Sequence, residues 1–163
     1  MLTSTQRDKL KNIFNHRAKM KAINSFLSLQ EPAGPEQILE LRRLSDNDYF
    51  FVPVMPERKI DIPKPHGRFL FVIPSFSPGK VFCGVPKGYR TFASDIIKPI
   101  QGHTSICLDK DVFFAGEVDF INGVLKSWSN SSGHYMPKAE LIDVNFIPAV
   151  KLLLPKSKFN EIF

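Results

Sequence analysis

Cysteine is nearly absent from this chain: only Cys83 and Cys107 occur in 163 residues. Two thiols build no disulfide framework, and no Cys/His spacing resembles a zinc site. They fit a reducing compartment. No apolar run approaches the roughly 18 residues of a membrane span, and residues 1–11 lack the apolar stretch of a signal peptide. The chain is therefore expected to be soluble and without integral membrane association. Export into a target or host cell by a route without a cleaved signal peptide stays open. Gly79, Gly84 and Gly88 lack the spacing of a phosphate-binding loop, and Ser105 and Ser132 lack the context of a nucleophile elbow. No metal or resident cofactor is implied.

What is present is apolar and aromatic. The hydrophobic share is 43%, with 15 Phe, enough to build a core without staples. The net charge of +6 is uneven. Residues 1–30 hold Arg7, Lys9, Lys11, Arg17, Lys19 and Lys21 against Asp8 alone, so the high isoelectric point describes this stretch and not the body. A basic helix of this kind approaches nucleic acid or an anionic surface, or is simply a solvated face.

Three regions follow. Residues 1–48 read as a basic helical region: one helix from Thr3 or Ser4 to about Leu29, with Ile13, Met20, Ile23 and Leu27 as its stripe. A second helix opens at Pro35, anchored by Ile38, Leu39 and Leu41, and ends at Ser45-Asp46-Asn47-Asp48. Residues 49–67, rich in proline, read as a connector that starts with β-type composition. Residues 68–163 read as a β-rich domain. Arg68–Ile73 and Lys80–Gly84 suggest a hairpin, and His103–Leu108, Val112–Phe120 and Val124–Trp128 a three-stranded antiparallel meander. Residues 138–154 suggest a closing helix interrupted by Pro148. The fold class is α+β: N-terminal helices, an antiparallel meander sheet, a closing helix.

Asn122-Gly123 between two apolar-rich runs is the strongest hairpin signal, since a type I′ turn needs positive φ at both residues. Regular pairing then sets Ile121 against Val124, Asp119 against Lys126 and Glu117 against Trp128. Phe114, Val118, Phe120 and Leu125 share the core face, with Glu117, Asp119, Lys126 and Trp128 on the other. A three-residue turn at Asp109-Lys110-Asp111 adds His103, Ser105 and Cys107 to that second face, with His103 opposite Glu117. A two-residue turn reverses this assignment.

The loop after the hairpin, Ser129 to Tyr135, concentrates hydrogen-bonding groups. In Ser132-Gly133-His134-Tyr135, glycine would let the backbone turn tightly and leave the imidazole of His134 accessible as a general acid or base. The structural alternative is a histidine that fixes the loop. Tyr135 either stacks on a base or packs the loop onto the sheet. His103 either acts with His134 or caps backbone groups. Glu117 against an indole would have its carboxyl pKa raised, as acid–base work requires, or else pairs with a charge on a solvated face. Trp128, Lys126, Ser105 and Ser132 complete the set as substrate-binding candidates.

Several of these pieces occur together in a known domain. Phe69-Leu70-Phe71-Val72-Ile73, Val81-Phe82-Cys83-Gly84 and His103-Thr104-Ser105 are followed by Ala115-Gly116-Glu117, Asn122-Gly123-Val124-Leu125-Lys126 and Ser132-Gly133-His134-Tyr135-Met136-Pro137. In that order, residues 68–154 resemble the domain shared by plant IQ-motif calmodulin-binding proteins of the IQM type, and similar segments of bacterial secreted toxins and effectors. The resemblance implies a shared fold and a shared site around His103, Glu117, His134 and Tyr135. It does not extend to calmodulin, because Ile100-Gln101 is followed by Gly-His-Thr-Ser and no IQ motif is present.

The leading functional expectation is a small toxin- or effector-like domain acting on RNA or a nucleotide substrate by His/Glu acid–base chemistry. Lys126 or the N-terminal lysines would hold phosphate, and Trp128 and Tyr135 would offer stacking faces. ADP-ribosyl transfer from NAD suits the same residues. The alternative class is a non-enzymatic regulatory binding module whose partner is a host protein or a small ligand.

Overall fold

A computed structural model describes residues 1, 3–8, 20–25, 30–55, 61–88, 96–107 and 111–162. Leu39 and Leu41 alternate with Glu40 and Arg42, a period of two, and the stretch expected as a helix is strand β1 (Leu39–Ser45). Pro35 does open a turn, but only the three residues of 3-10 helix Pro35–Gln37. The acidic run expected to end a helix is the turn into β2 (Asp48–Pro53), which pairs antiparallel with β1. β3 (Gly67–Pro74) and β4 (Phe82–Gly84) form the expected antiparallel pair. β5 (Val112–Ile121) and β6 (Val124–Ser129) form the Asn122-Gly123 hairpin, and β7 (Phe159–Asn160) lies parallel to β6.

Among the described residues, seven strands make one mostly antiparallel sheet in the order β2-β1-β4-β3-β5-β6-β7. The break expected near residue 48 therefore falls inside a hairpin, and residues 39–53 belong to the same sheet as the later strands. The helices are short and follow most of the strands: α1 (His103–Cys107), α2 (Leu141–Asn145) and α3 (Pro148–Leu153). Pro148 splits the closing helical region, as its missing N–H and fixed φ require. Residues 4–8 are helical, whereas residues 20–25 are not. Ile23 exchanges backbone hydrogen bonds of 2.7 and 3.1 Å with Val112, and the buried Asn145 side chain bonds both the N–H and the carbonyl of Lys21. Those bonds need extended chain and override the helical spacing. Ile13 and Leu27 lie outside the described residues.

Asn122 and Gly123 take φ of 46° and 83°, the type I′ geometry. Gly123 accepts from the Tyr49 N–H of the edge strand β2 at 2.8 Å, so the hairpin tip reaches across to the far edge and the sheet is strongly curled. Its inner face carries Leu39, Tyr49, Phe51, Phe69, Phe71, Phe114, Phe120 and Trp128, closed by Phe146 and Val150 from the helical end. Its rings pack both edge-to-face, as for Phe114–Phe146 with centroids 5.2 Å apart, and stacked, as for Trp128–Phe146 at 5.6 Å, while Phe159 lies tilted on Trp128 at 4.6 Å. Each such ring contributes about 1.5–3 kcal/mol by leaving water.

The hairpin register departs from regular pairing. Phe120 faces Leu125, but Asp119 faces Ser127 and Val118 faces Trp128, so Lys126 is the extra residue of a bulge. Trp128 is thereby turned onto the inner face, 1% exposed, and Glu117 stands opposite Ser129. The expected Glu117–Trp128 and Asp119–Lys126 pairings do not form. Gly116 closes the arrangement: a Cβ there would collide with the Ser129 carbonyl and crowd the Phe71 ring.

Two substitutions check this packing by urea denaturation. Trp128→Ala should cost about 3–5 kcal/mol, and Gly116→Ala about 1–3 kcal/mol, since the clash is with backbone. Near-neutral values at both positions would contradict the register.

Candidate functional site

On the outer face, α1 lies over β3 and β5, where a strand was expected. Its turn is held by side chains. Ser105 Oγ accepts from the Gly102 N–H at 3.2 Å, and Thr104 Oγ1 accepts from the Gln30 N–H at 2.8 Å. All five of its residues are buried. Ile106 and Cys107 pack with Leu70, Val72, Ala115 and Tyr135 in a second apolar cluster. Ser105 is therefore a capping hydroxyl of this turn, 1% exposed.

His103 is buried, with Nε2 2.7 Å from the Gly116 carbonyl oxygen. A carbonyl only accepts, so Nε2 carries a proton, and the burial-lowered pKa leaves Nδ1 unprotonated at neutral pH. Burial pushes its pKa down to about 4, against the opposing pull of the Gly116 carbonyl, and repulsion from His134 adds to the lowering. His103 and His134 are thus brought within electrostatic reach of each other. His103 does not stand opposite Glu117, and its accessible chemistry is spent on Gly116.

The Ser-Gly-His-Tyr loop is a folded turn. Met136 N–H donates to the Ser132 carbonyl at 2.7 Å, and the Tyr135 N–H to Ser132 Oγ at 3.4 Å. Asn130, fully buried, holds both ends: its Nδ2 donates to the Pro137 carbonyl and its Oδ1 accepts from the Ile162 N–H, each at 2.8 Å. Tyr135 is 1% exposed, and burial raises its phenol. It packs the loop onto the sheet and presents no stacking face. Trp128 likewise donates its indole N–H to the Pro155 carbonyl at 2.8 Å inside the core. Gly133 needs no special backbone conformation, and a Cβ there would meet nothing within 4 Å. His134 is the one partly accessible member of the quartet His103, Glu117, His134 and Tyr135 besides Glu117. Burial holds the thiol of Cys83 well above its ordinary range and pushes Cys107 up to about 12, so neither is a thiolate.

The accessible polar site lies further along the outer face. The bulge at Lys126 sets Ser127 and Ser129 beside Glu117 and Asp119, and β3 supplies Arg68. These residues, with Ser131, Asn160 and Ile162, line a depression of about 160 Å³. Arg68 Nη1 lies 3.4 Å from Glu117 Oε2. Burial raises the Glu117 carboxyl pKa, Arg68 opposes that, and Asp119 adds to it. Lys126, the bulged residue, is exposed and lines neither this depression nor the His103 contact.

Sequence reasoning put Glu117 here but missed Arg68 and Asn160. Arg68 faces Asp119 across β3 and β5, a pairing some 50 residues apart that only the sheet order reveals. Asn130 was visible only as one polar residue in a polar run. Among the described residues no group of three or more His, Cys, Asp or Glu is placed to hold a metal, and no helix is long and apolar enough to cross a membrane. Comparison with family models, with curated proteins and with solved structures finds no match to this chain.

The neutral, buried His103 has a consequence for stability. Its folded pKa lies below the roughly 6.5 of an unfolded histidine, so its contribution is present above that pH and is lost as pH falls towards 4. The loss should approach 3 kcal/mol, an order of magnitude of about 1.4 kcal/mol per unit. His103→Gln should flatten that acid limb in urea titrations at stepped pH; an unchanged limb would contradict the assignment. Gly133→Ala should change stability by less than about 0.5 kcal/mol.

Proposed function

We propose that this chain is a binding module whose recognition site is the depression around Arg68, Glu117 and Asp119, and that it takes up a basic side chain from a protein partner. The observation that carries this reading is the charge balance of the lining: two carboxylates face one guanidinium, leaving the site net negative. An incoming ammonium or guanidinium restores the balance and favours ionised Glu117, whose pKa burial raises. Ser127, Ser129, Ser131 and Asn160 supply acceptors for its remaining donors.

Size argues the same way. About 160 Å³ is below the roughly 300–1,000 Å³ of pockets that enclose a drug-sized ligand, so a side-chain end fits and NAD does not. Net negative charge also disfavours a phosphate backbone at this site. The rival reading, RNA cleavage or ADP-ribosyl transfer at His134, rests on the proximity of His134 to His103. It loses the two stacking faces, because Trp128 and Tyr135 are buried.

Nuclear magnetic resonance titration with N-acetyl-arginine amide and N-acetyl-lysine amide tests the proposal. Saturable shifts should appear at residues 117–119 and 127–131, and Glu117→Gln should weaken binding about tenfold or more, the scale of a charge-assisted hydrogen bond. N-acetyl-glutamine amide should not bind. In cells expressing wild type or His134→Ala at equal levels, RNA integrity and NAD content should be the same. Loss of either with wild type alone would favour the enzyme and contradict the binding module.

A further inference from the structure

A second cavity, about 310 Å³, lies where the β1–β2 turn meets α3 and the 3-10 turn Lys156–Lys158. Its charge is opposite to that of the depression. Arg43 comes from β1, Lys151 from the last turn of α3, and Lys158 from the 3-10 turn, against Asp46 alone. Three cations from three separate elements against one carboxylate leave a net charge of about +2, which a dianion neutralises. Asn47 and Ser157, which also line it, add uncharged donors.

Arg43 is placed by the fold. Alternation along β1 puts it on the same face as Leu39 and Leu41, at the mouth of the aromatic core, with 21% of its side chain exposed. Its positive charge is near enough to the Tyr49 hydroxyl to oppose the rise that burial imposes on that phenol, and the hydroxyl donates to the Leu153 carbonyl at 2.9 Å. Lys158 is anchored through one of its three N–H donors, to the Leu125 carbonyl at 2.6 Å. The carboxylate is held differently. Asp46 Oδ1 sits 2.6 Å from Arg43 Nη1, yet 88% of the Asp46 side chain is exposed at the tip of the turn. The cation is fixed by the structure, and its anion can leave into solvent without uncovering anything.

From this asymmetry we propose that the cavity is a phosphoryl-binding site, in which a phosphomonoester dianion displaces Asp46 from Arg43 and is held by Lys151 and Lys158. A phosphomonoester brings nearly two negative charges and three acceptor oxygens at neutral pH, matching a planar guanidinium fork and two ammonium groups better than a carboxylate does. Asp46 occupies the Arg43 position in the free protein and competes with the ligand.

Calorimetry and nuclear magnetic resonance titration with three probes test this: inorganic phosphate, N-acetyl-phosphoserine amide and AMP. At least one should bind saturably with shifts confined to residues 43–49 and 151–158, and the ranking of the three identifies a free ion, a phosphorylated side chain or a nucleotide as the source. Arg43→Met should weaken binding about tenfold or more. Lys151→Gln, at an exposed position, should weaken it several-fold without moving the unfolding midpoint, which keeps the test valid if Arg43→Met does not fold. Asp46→Asn should tighten it several-fold, because the competitor is gone. No saturable binding by any probe would overturn the proposal, as would Asp46→Asn binding no tighter than wild type or Lys151→Gln binding as well as wild type.

Discussion

The placement of one extra residue in the β5–β6 ladder governs both the core and the outer-face site. With Lys126 bulged out between Leu125 and Ser127, every side chain from residue 127 onward changes face. Trp128 then enters the inner face, where it meets Phe71, Phe114, Phe146 and Phe159. Ser127 and Ser129 go to the outer face beside Glu117 and Asp119. Regular pairing would have put the indole in the depression and a serine in the core. The core would then lack its largest ring, and the polar site would be filled by it. Gly116 depends on the same geometry, because its missing side chain is what lets the Ser129 backbone approach.

The outer face divides along its length by what covers it. Where α1 and the 130–137 loop lie over Leu70, Val72 and Ala115, polar groups are committed to holding those covers down: His103 to Gly116, Asn130 to Pro137 and Ile162, Ser105 to Gly102. The first, second and last of these are buried and the Ile162 bond is part-buried, so losing one partner of a buried bond would leave the other unsatisfied, at about 1–3 kcal/mol each. Where no cover lies, the same strands present Arg68, Glu117 and Asp119 to solvent. A polar loop with one histidine and a carboxylate on one side of a sheet thus serve two ends, one as a clasp and the other, in our proposal, as a binding surface.

Much of the sheet was legible because its signals are local. Asn122-Gly123 specified its turn outright, Pro74 to Gly79 marked the β3–β4 connection, and Pro148 divided the closing helices. The core face of β5, with Phe114, Val118 and Phe120, followed from simple alternation. What failed depended on partners distant in sequence. His103–Cys107 has strand-like composition, but the side chain of Thr104 is tied to Gln30, 74 residues away, in a helical turn. Residues 20–25 carry a helical spacing that Val112 and Asn145 override. Ile38 and Leu41 suit a helical spacing whereas Leu39 and Leu41 suit a strand, and the order β2-β1-β4 decided between them. At the site, Glu117 was legible from its apolar neighbours, whereas Arg68 was not, since nothing local links β3 to β5. The base-stacking role expected of Trp128 failed with the register, and that of Tyr135 with its burial.

The central claim is that the histidine of Gly102-His103-Thr104 is a neutral, buried structural group and not an acid–base catalyst. Nitrogen-15 resonance of the His103 ring across a pH titration tests it directly. The account predicts a single tautomer protonated on Nε2, persisting unprotonated at Nδ1 down to about pH 4. A ring that exchanges tautomers and titrates near an ordinary histidine value would contradict it and return His103 to the candidates for catalysis.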